Sequence, residues 1–142
     1  MRTTEPDEHP DAAAVRAADD AFYAAFERCD VDAMAAVWEH SDRVSVTHPG
    51  WPTLHGWARV LASWDAIFAN TPYIQFVLTN EVVNVHGDVA WVTVDENILQ
   101  AAGREGGDDE LAGAHVTACN LFVRSRGAWR MVAHHGSPVG AG

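Results

Sequence analysis

Glu96, Asn120, His135 and His48 are the residues of this 142-residue chain whose types and placement suit proton chemistry. Glu96 belongs to the run Ala90, Val92, Val94, Glu96, Ile98, every second residue of an apolar segment. Strand alternation therefore sets one carboxylate on an otherwise apolar face. In such surroundings a carboxyl's pKa rises, which suits a general acid or base near neutral pH. The same spacing admits a plainer reading, in which the strand has cleared the core and Glu96 is solvated at the mouth of a cavity. Asp95 falls on the opposite face with Trp91, Thr93 and Asn97.

Asn120 alternates with Ala118 and Phe122, and its amide can both donate and accept in a pocket or satisfy a buried carbonyl or carboxylate. His134 and His135 are neighbours, so on a strand they point to opposite faces. Counting from Met131 and Ala133 puts His135 inward, as an imidazole that orients a ligand or as a core histidine bonded to a backbone carbonyl. His134 is expected to point outward. His48, with Trp51 and His55, lies in the loop after a short strand, either at a cavity entrance or as a turn residue before Pro49. Eight histidines raise the question of a metal, but no His-x-His or helical His-x-x-x-His pair is present, and none is expected. Cys29 and Cys119 read as two free thiols.

These residues need a frame. A polar stretch with two prolines predicts a flexible N-terminal arm over residues 1–10, followed by one domain over 11–138. From Asp11 to Arg28, Val15, Ala18, Phe22, Ala25 and Phe26 recur at helical spacing, while Arg16, Asp19, Asp20 and Glu27 are read as the polar remainder. Asp30 is a fitting cap for a short helix over Asp32–Trp38. Arg43–Thr47 reads as a short strand, and Gly56 precedes a third helix with a stripe of Trp57, Val60, Leu61, Trp64, Ile67 and Phe68 that ends at Asn70-Thr71-Pro72. Tyr23, Trp57, Trp64 and Phe68 are expected to line pocket walls or complete the core, as is Trp51 at the entrance. Tyr73–Val85 and Val89–Gln100 read as strands around His86-Gly87-Asp88, and Ala101–Ala114 as a mobile loop. The final hairpin starts at His115 and turns at Arg126-Gly127.

Helices followed by long meandering strands imply an α+β fold, with a strongly curved antiparallel sheet wrapped round three helices. The net charge of −11 argues against nucleic acid and membrane surfaces as partners. With no long apolar run and an acidic Met1–Asp11, the chain reads as cytoplasmic. No phosphate-binding glycine loop or Gly-x-Ser-x-Gly elbow occurs.

Several short motifs, in this order and spacing, resemble the nuclear transport factor 2-like superfamily, in its SnoaL-like and ketosteroid-isomerase-like branch. They are Phe22–Phe26 with Asp32–Trp38, His48-Pro49-Gly50, Gly87-Asp88-Val89-Ala90, and Gly127–Val132 running on to His135-Gly136-Ser137. The resemblance implies a cone-shaped α+β barrel, a homodimer through the outer sheet face, and a pocket whose chemistry varies among isomerases, polyketide cyclases, epoxide hydrolases, dehydratases and non-catalytic association domains. The closing hairpin is also similar to that of the calcium/calmodulin-dependent kinase association domain. Aligned on Trp129, that domain's pocket positions fall on Glu96, Asn120 and Gly136, where it carries arginines. The tyrosine–aspartate oxyanion pair of ketosteroid isomerase finds no matching positions.

Two functions follow as expectations. The first is a cofactor-free isomerase, cyclase or dehydratase acting on a small hydrophobic or carbonyl-bearing ligand, with Glu96 as acid/base and Asn120, His135 and His48 as orienting groups. The second is a ligand-binding or association module of the same fold.

Overall fold

The computed structural model describes residues 8–101 and 111–140. Most of the expected arm and most of the expected loop, at residues 1–7 and 102–110, lie outside the described residues.

Helix α1 spans Ala12–Arg28 and buries Val15, Phe22, Tyr23 and Ala25. It ends at Cys29, whose left-handed conformation (φ 49°) lets its N–H reach the carbonyls of Ala25 and Phe26. Asp30 then caps α2 (Val31–Val37), its carboxylate accepting the Ala33 N–H at 3.0 Å. Two short strands, β1 (Ser45–Thr47) and β2 (Leu54–His55), precede α3 (Trp57–Ala69). Four long strands follow: β3 (Tyr73–His86), β4 (Val89–Ala101), β5 (Leu111–Ser125) and β6 (Ala128–Pro138). The hairpin β5–β6 turns on Arg126 (φ 54°) and Gly127 (φ 79°), the pair of positive angles that a two-residue turn of matching twist requires. Strand β5 begins at Leu111, earlier than the expected His115, and β2 lies where only loop was expected.

The sheet order is β2-β1-β6-β5-β4-β3, curved and unclosed, with β1 parallel to β6 and the other pairs antiparallel. Two irregularities bend it. One lies in β3 between Thr79 and Val82, where Asn80 has φ 56°. The other lies in β6, where Leu121 pairs with Ala133 but Phe122 pairs with Met131, so Val132 is an extra residue. Both Met131 and Val132 are consequently buried in succession. The helices cover the concave face, and Phe22 centres an aromatic cluster there, edge-on to Tyr23 at 4.9 Å and to Trp64 at 5.5 Å. No described helix is long and apolar enough to cross a membrane.

Candidate functional site

Strand β4 delivers Glu96 to the concave face as its alternation requires, and Glu96 is 3% exposed. The carboxyl lines a cavity of about 330 Å³ whose apolar walls include Phe26, Ile67, Ile74 and Ile98. Burial pushes this carboxyl up to about 7, and the Tyr23 hydroxyl, which donates to Oε2 at 2.6 Å, pulls it back only partly. Glu96 Oε1 has no partner among the described residues.

Behind Glu96 stands a polar network shared by α1, β5 and β6. The Asn120 amide donates to Asp19 Oδ1 at 2.9 Å and to the Tyr23 hydroxyl at 3.1 Å. Its carbonyl accepts from His134 Nδ1 at 2.6 Å. Asp19 is fully buried; burial raises its carboxyl to about 7 against the pull of the Asn120 bond, and its Oδ2 meets no partner. Burial and the neighbouring Glu96 charge also raise the Tyr23 pKa.

His48 and His134 both line the cavity, and burial lowers them to about 4 and about 3, so both imidazoles are neutral near pH 7. Nε2 of His48 bonds Ser63 of α3 at 2.9 Å. Gly136 lets the His48-Pro49 loop close on β6, since a Cβ there would stand 3.2 Å from Pro49 Cγ and 3.2 Å from Val116 Cγ1. Trp51 covers the mouth, its ring edge-on to His48 at 5.0 Å.

Several expectations need correction. His135 does not face the core: it is exposed and its Nε2 bonds the Ser137 hydroxyl at 3.1 Å. The extra residue at Val132 shifts the alternation by one, so His134 takes the inward place. Of the two places expected for Trp64 and Phe68, they take the core, packed behind His48 and Phe26, and not the cavity wall. Tyr23 and Asn120 also lie behind the wall and reach the cavity through Glu96 and His134.

Asp19, grouped by type with the polar remainder of α1, stands four residues from both Val15 and Tyr23, which places it on the buried stripe. Of their two expected places, Glu96 takes the buried inner face and His48 the cavity wall, while Asp95 is on the outer face, bonded by Asn80 at 2.6 Å.

A second depression, of about 500 Å³ beside Trp38, Glu39 and Arg130, lacks buried ionisable groups among its lining residues. Its Glu39 is clamped by Arg43 at 2.6 and 2.8 Å, which holds that carboxyl at about 2. Among the described residues no group of three or more His, Cys, Asp or Glu side chains is placed to hold a metal ion.

A curved, unclosed sheet wrapped round three helices is the fold this chain shares with proteins of the nuclear transport factor 2-like superfamily. Residues 15–141 match the model of the SnoaL-like domain, and the chain belongs to that family. Among solved structures, a "putative dehydratase from the NTF2-like family" of Streptomyces avermitilis is 42% identical, with TM-score 0.85 over 92% of this chain and 98% of that one. A "putative calcium/calmodulin-dependent protein kinase type II association domain" from Thiobacillus denitrificans is 33% identical, with TM-score 0.74 over 88% of this chain and 94% of that one. A ketosteroid isomerase-like protein of Erwinia carotovora atroseptica shares the fold at 19% identity and TM-score 0.76, over 94% of this chain and 99% of that one. The F-box protein SKIP8 of Arabidopsis thaliana is 27% identical over 107 residues, 75% of this chain, and the match spans 42% of that protein's length.

Proposed function

We propose that this protein is a cofactor-free acid/base enzyme of the isomerase, cyclase or dehydratase type, acting on a small carbonyl-bearing ligand with Glu96 as the proton carrier. One observation carries the reading: a carboxyl poised at about 7 lines an apolar cavity, with one oxygen held by Tyr23 and the other free for a ligand. Ionised Glu96 takes the proton from carbon next to a carbonyl. Returning it to another carbon isomerises the ligand. Returning it to a β-hydroxyl expels water and forms the conjugated double bond, and the carboxylate is regenerated either way. Neutral His48 and His134 orient the ligand, while Tyr23, Asn120 and Asp19 are positioning residues.

The 42% identity to the Streptomyces protein favours the dehydration branch. Likeness to the association domain supports the second reading, a module that holds a ligand unchanged. A homodimer through the outer sheet face fits the exposed Val77, Trp91 and Leu99 there. The acidic surface fits a cytoplasmic protein that binds neither nucleic acid nor membrane.

The test is a panel of β-hydroxy ketones and β,γ-unsaturated ketones, followed by absorbance of the conjugated product. Glu96→Gln is expected to lose turnover by about 10²-fold or more with its fold intact. Turnover unchanged in Glu96→Gln, or a ligand retained on purification and never altered, refutes the enzyme reading.

A further inference from the structure

The hydrogens on the two cavity histidines are dictated by their neighbours. With the Glu96 and Asp19 carboxyls ionised, Tyr23 gives its hydroxyl hydrogen to Glu96 and therefore accepts from Asn120. The Asn120 nitrogen thus faces Tyr23 and Asp19, and its oxygen faces His134. A carbonyl oxygen can only accept, so His134 carries its hydrogen on Nδ1 and Nε2 is left with a lone pair. In α3 the Ser63 hydroxyl lies 2.7 Å from the carbonyl oxygen of Val60, a separation that requires a hydrogen between the two oxygens. Ser63 has one hydrogen, so toward His48 it accepts. His48 consequently carries its hydrogen on Nε2 and has its lone pair on Nδ1.

Both remaining nitrogens lack partners among the described residues. The sealed and unpartnered side-chain atoms are Asp19 Oδ2 and the indole nitrogens of Trp38 and Trp64. His48 Nδ1 and His134 Nε2 are not among them, and both rings line the cavity. The ring centres are 6.4 Å apart, close enough for two hydroxyls on one six-membered ring to reach both imidazoles through ordinary hydrogen bonds. Among the described lining residues there is no arginine, the chain contains no lysine, and the Glu96 carboxyl opposes an anionic ligand.

We infer that the cavity recognises a neutral ligand bearing at least two hydroxyl groups, which donate to His134 Nε2 and His48 Nδ1. Two acceptors fixed in place select donors and reject ethers of the same shape, because a buried acceptor facing an ether is left unpaired. The inference rests on the cavity's being the ligand site of the proposed function, and it does not depend on turnover.

Nitrogen-15 NMR of histidine-labelled protein above neutral pH, where Glu96 and Asp19 are ionised, reads the tautomers directly, without any substitution that endangers folding. Hydrogen on Nδ1 of His134 and on Nε2 of His48 is expected. Resorcinol is expected to bind about tenfold or more tightly than 1,3-dimethoxybenzene, and His48→Phe to erase most of that preference. The opposite tautomer at either ring, equal binding of the diether, or resorcinol leaving both imidazoles unshifted at millimolar concentration would overturn it. Selective diol binding with no turnover of any hydroxy ketone sinks the enzyme reading and upholds this one. Turnover that needs Glu96, with diether and diol bound alike, does the reverse.

Discussion

Replacing Glu96 with glutamine should change how stability depends on pH, by an amount the network sets. Glu96 moves from its ordinary 4.5 to about 7 on folding, and Asp19 from 3.8 to about 7. A carboxyl raised in this way adds stability that is full below its unfolded pKa and is lost as pH climbs to its folded pKa. His48 and His134 move the other way, from 6.5 to about 4 and about 3, so their contribution is full above 6.5 and is lost as pH falls. Between pH 4.5 and 6.5 the folded chain therefore holds two carboxyl protons that the unfolded chain has released, and lacks two imidazole protons that the unfolded chain holds. The opposing slopes cancel, and these four groups leave stability nearly level. Glu96→Gln removes one of the two carboxyls from that balance. At ~1.36 kcal/mol per pH unit, the gap from 4.5 to about 7 gives ~3 kcal/mol. The stability of Glu96→Gln minus that of the unaltered protein should rise by that amount from pH 4.5 to 7 and then stay flat. Urea unfolding followed by tryptophan fluorescence at a series of pH values measures it. A difference that is constant across the range would show that Glu96 ionises as an ordinary exposed carboxyl, and the proposed proton carrier would lose its basis.

Tyr23→Phe removes the hydrogen bond that pulls the Glu96 carboxyl down, so Glu96 should titrate still higher, visible as an alkaline shift in carbon-13 NMR of its carboxyl, with a stability loss of ~1–3 kcal/mol. Gly136→Ala puts a methyl 3.2 Å from Pro49 and Val116, and should cost ~1–3 kcal/mol in urea unfolding while moving the His48 loop, seen as changed His48 NMR shifts. Val77→Lys with Leu99→Lys places charge on the exposed outer face; if the proposed homodimer uses that face, light scattering reports a dimer for the unaltered chain and a monomer for the variant, and an unchanged mass would place the interface elsewhere.

Periodicity made the helices and long strands legible because each buries one face. Val15, Phe22 and Phe26 mark α1, Asp30 marks the start of α2, and the alternation from Ala90 to Ile98 placed Glu96 correctly. The site was less legible wherever polar residues satisfy one another across the fold. Asp19 breaks no helical spacing, but a lone aspartate on an apolar stripe reads as surface until Asn120, on β5, is seen to meet it. The histidine pair failed for a different reason. Alternation carries a face along a strand only while the register is unbroken, and no residue type at Val132 announces an extra residue in β6. Strand β2 has two residues, too few for any pattern, and exists because it pairs with β1.

The network also spans most of the chain: Tyr23 and Glu96 are 73 residues apart, and Asp19 and Asn120 are 101 apart. At a synthesis rate of about 5–20 residues per second, α1 waits roughly 5–20 s for β5 to emerge. Through that interval Asp19 is in water and ionised, since its pKa of about 7 belongs only to the folded chain. Docking the last hairpin is therefore the step at which Asp19 takes up a proton, while His134 on that hairpin gives one up.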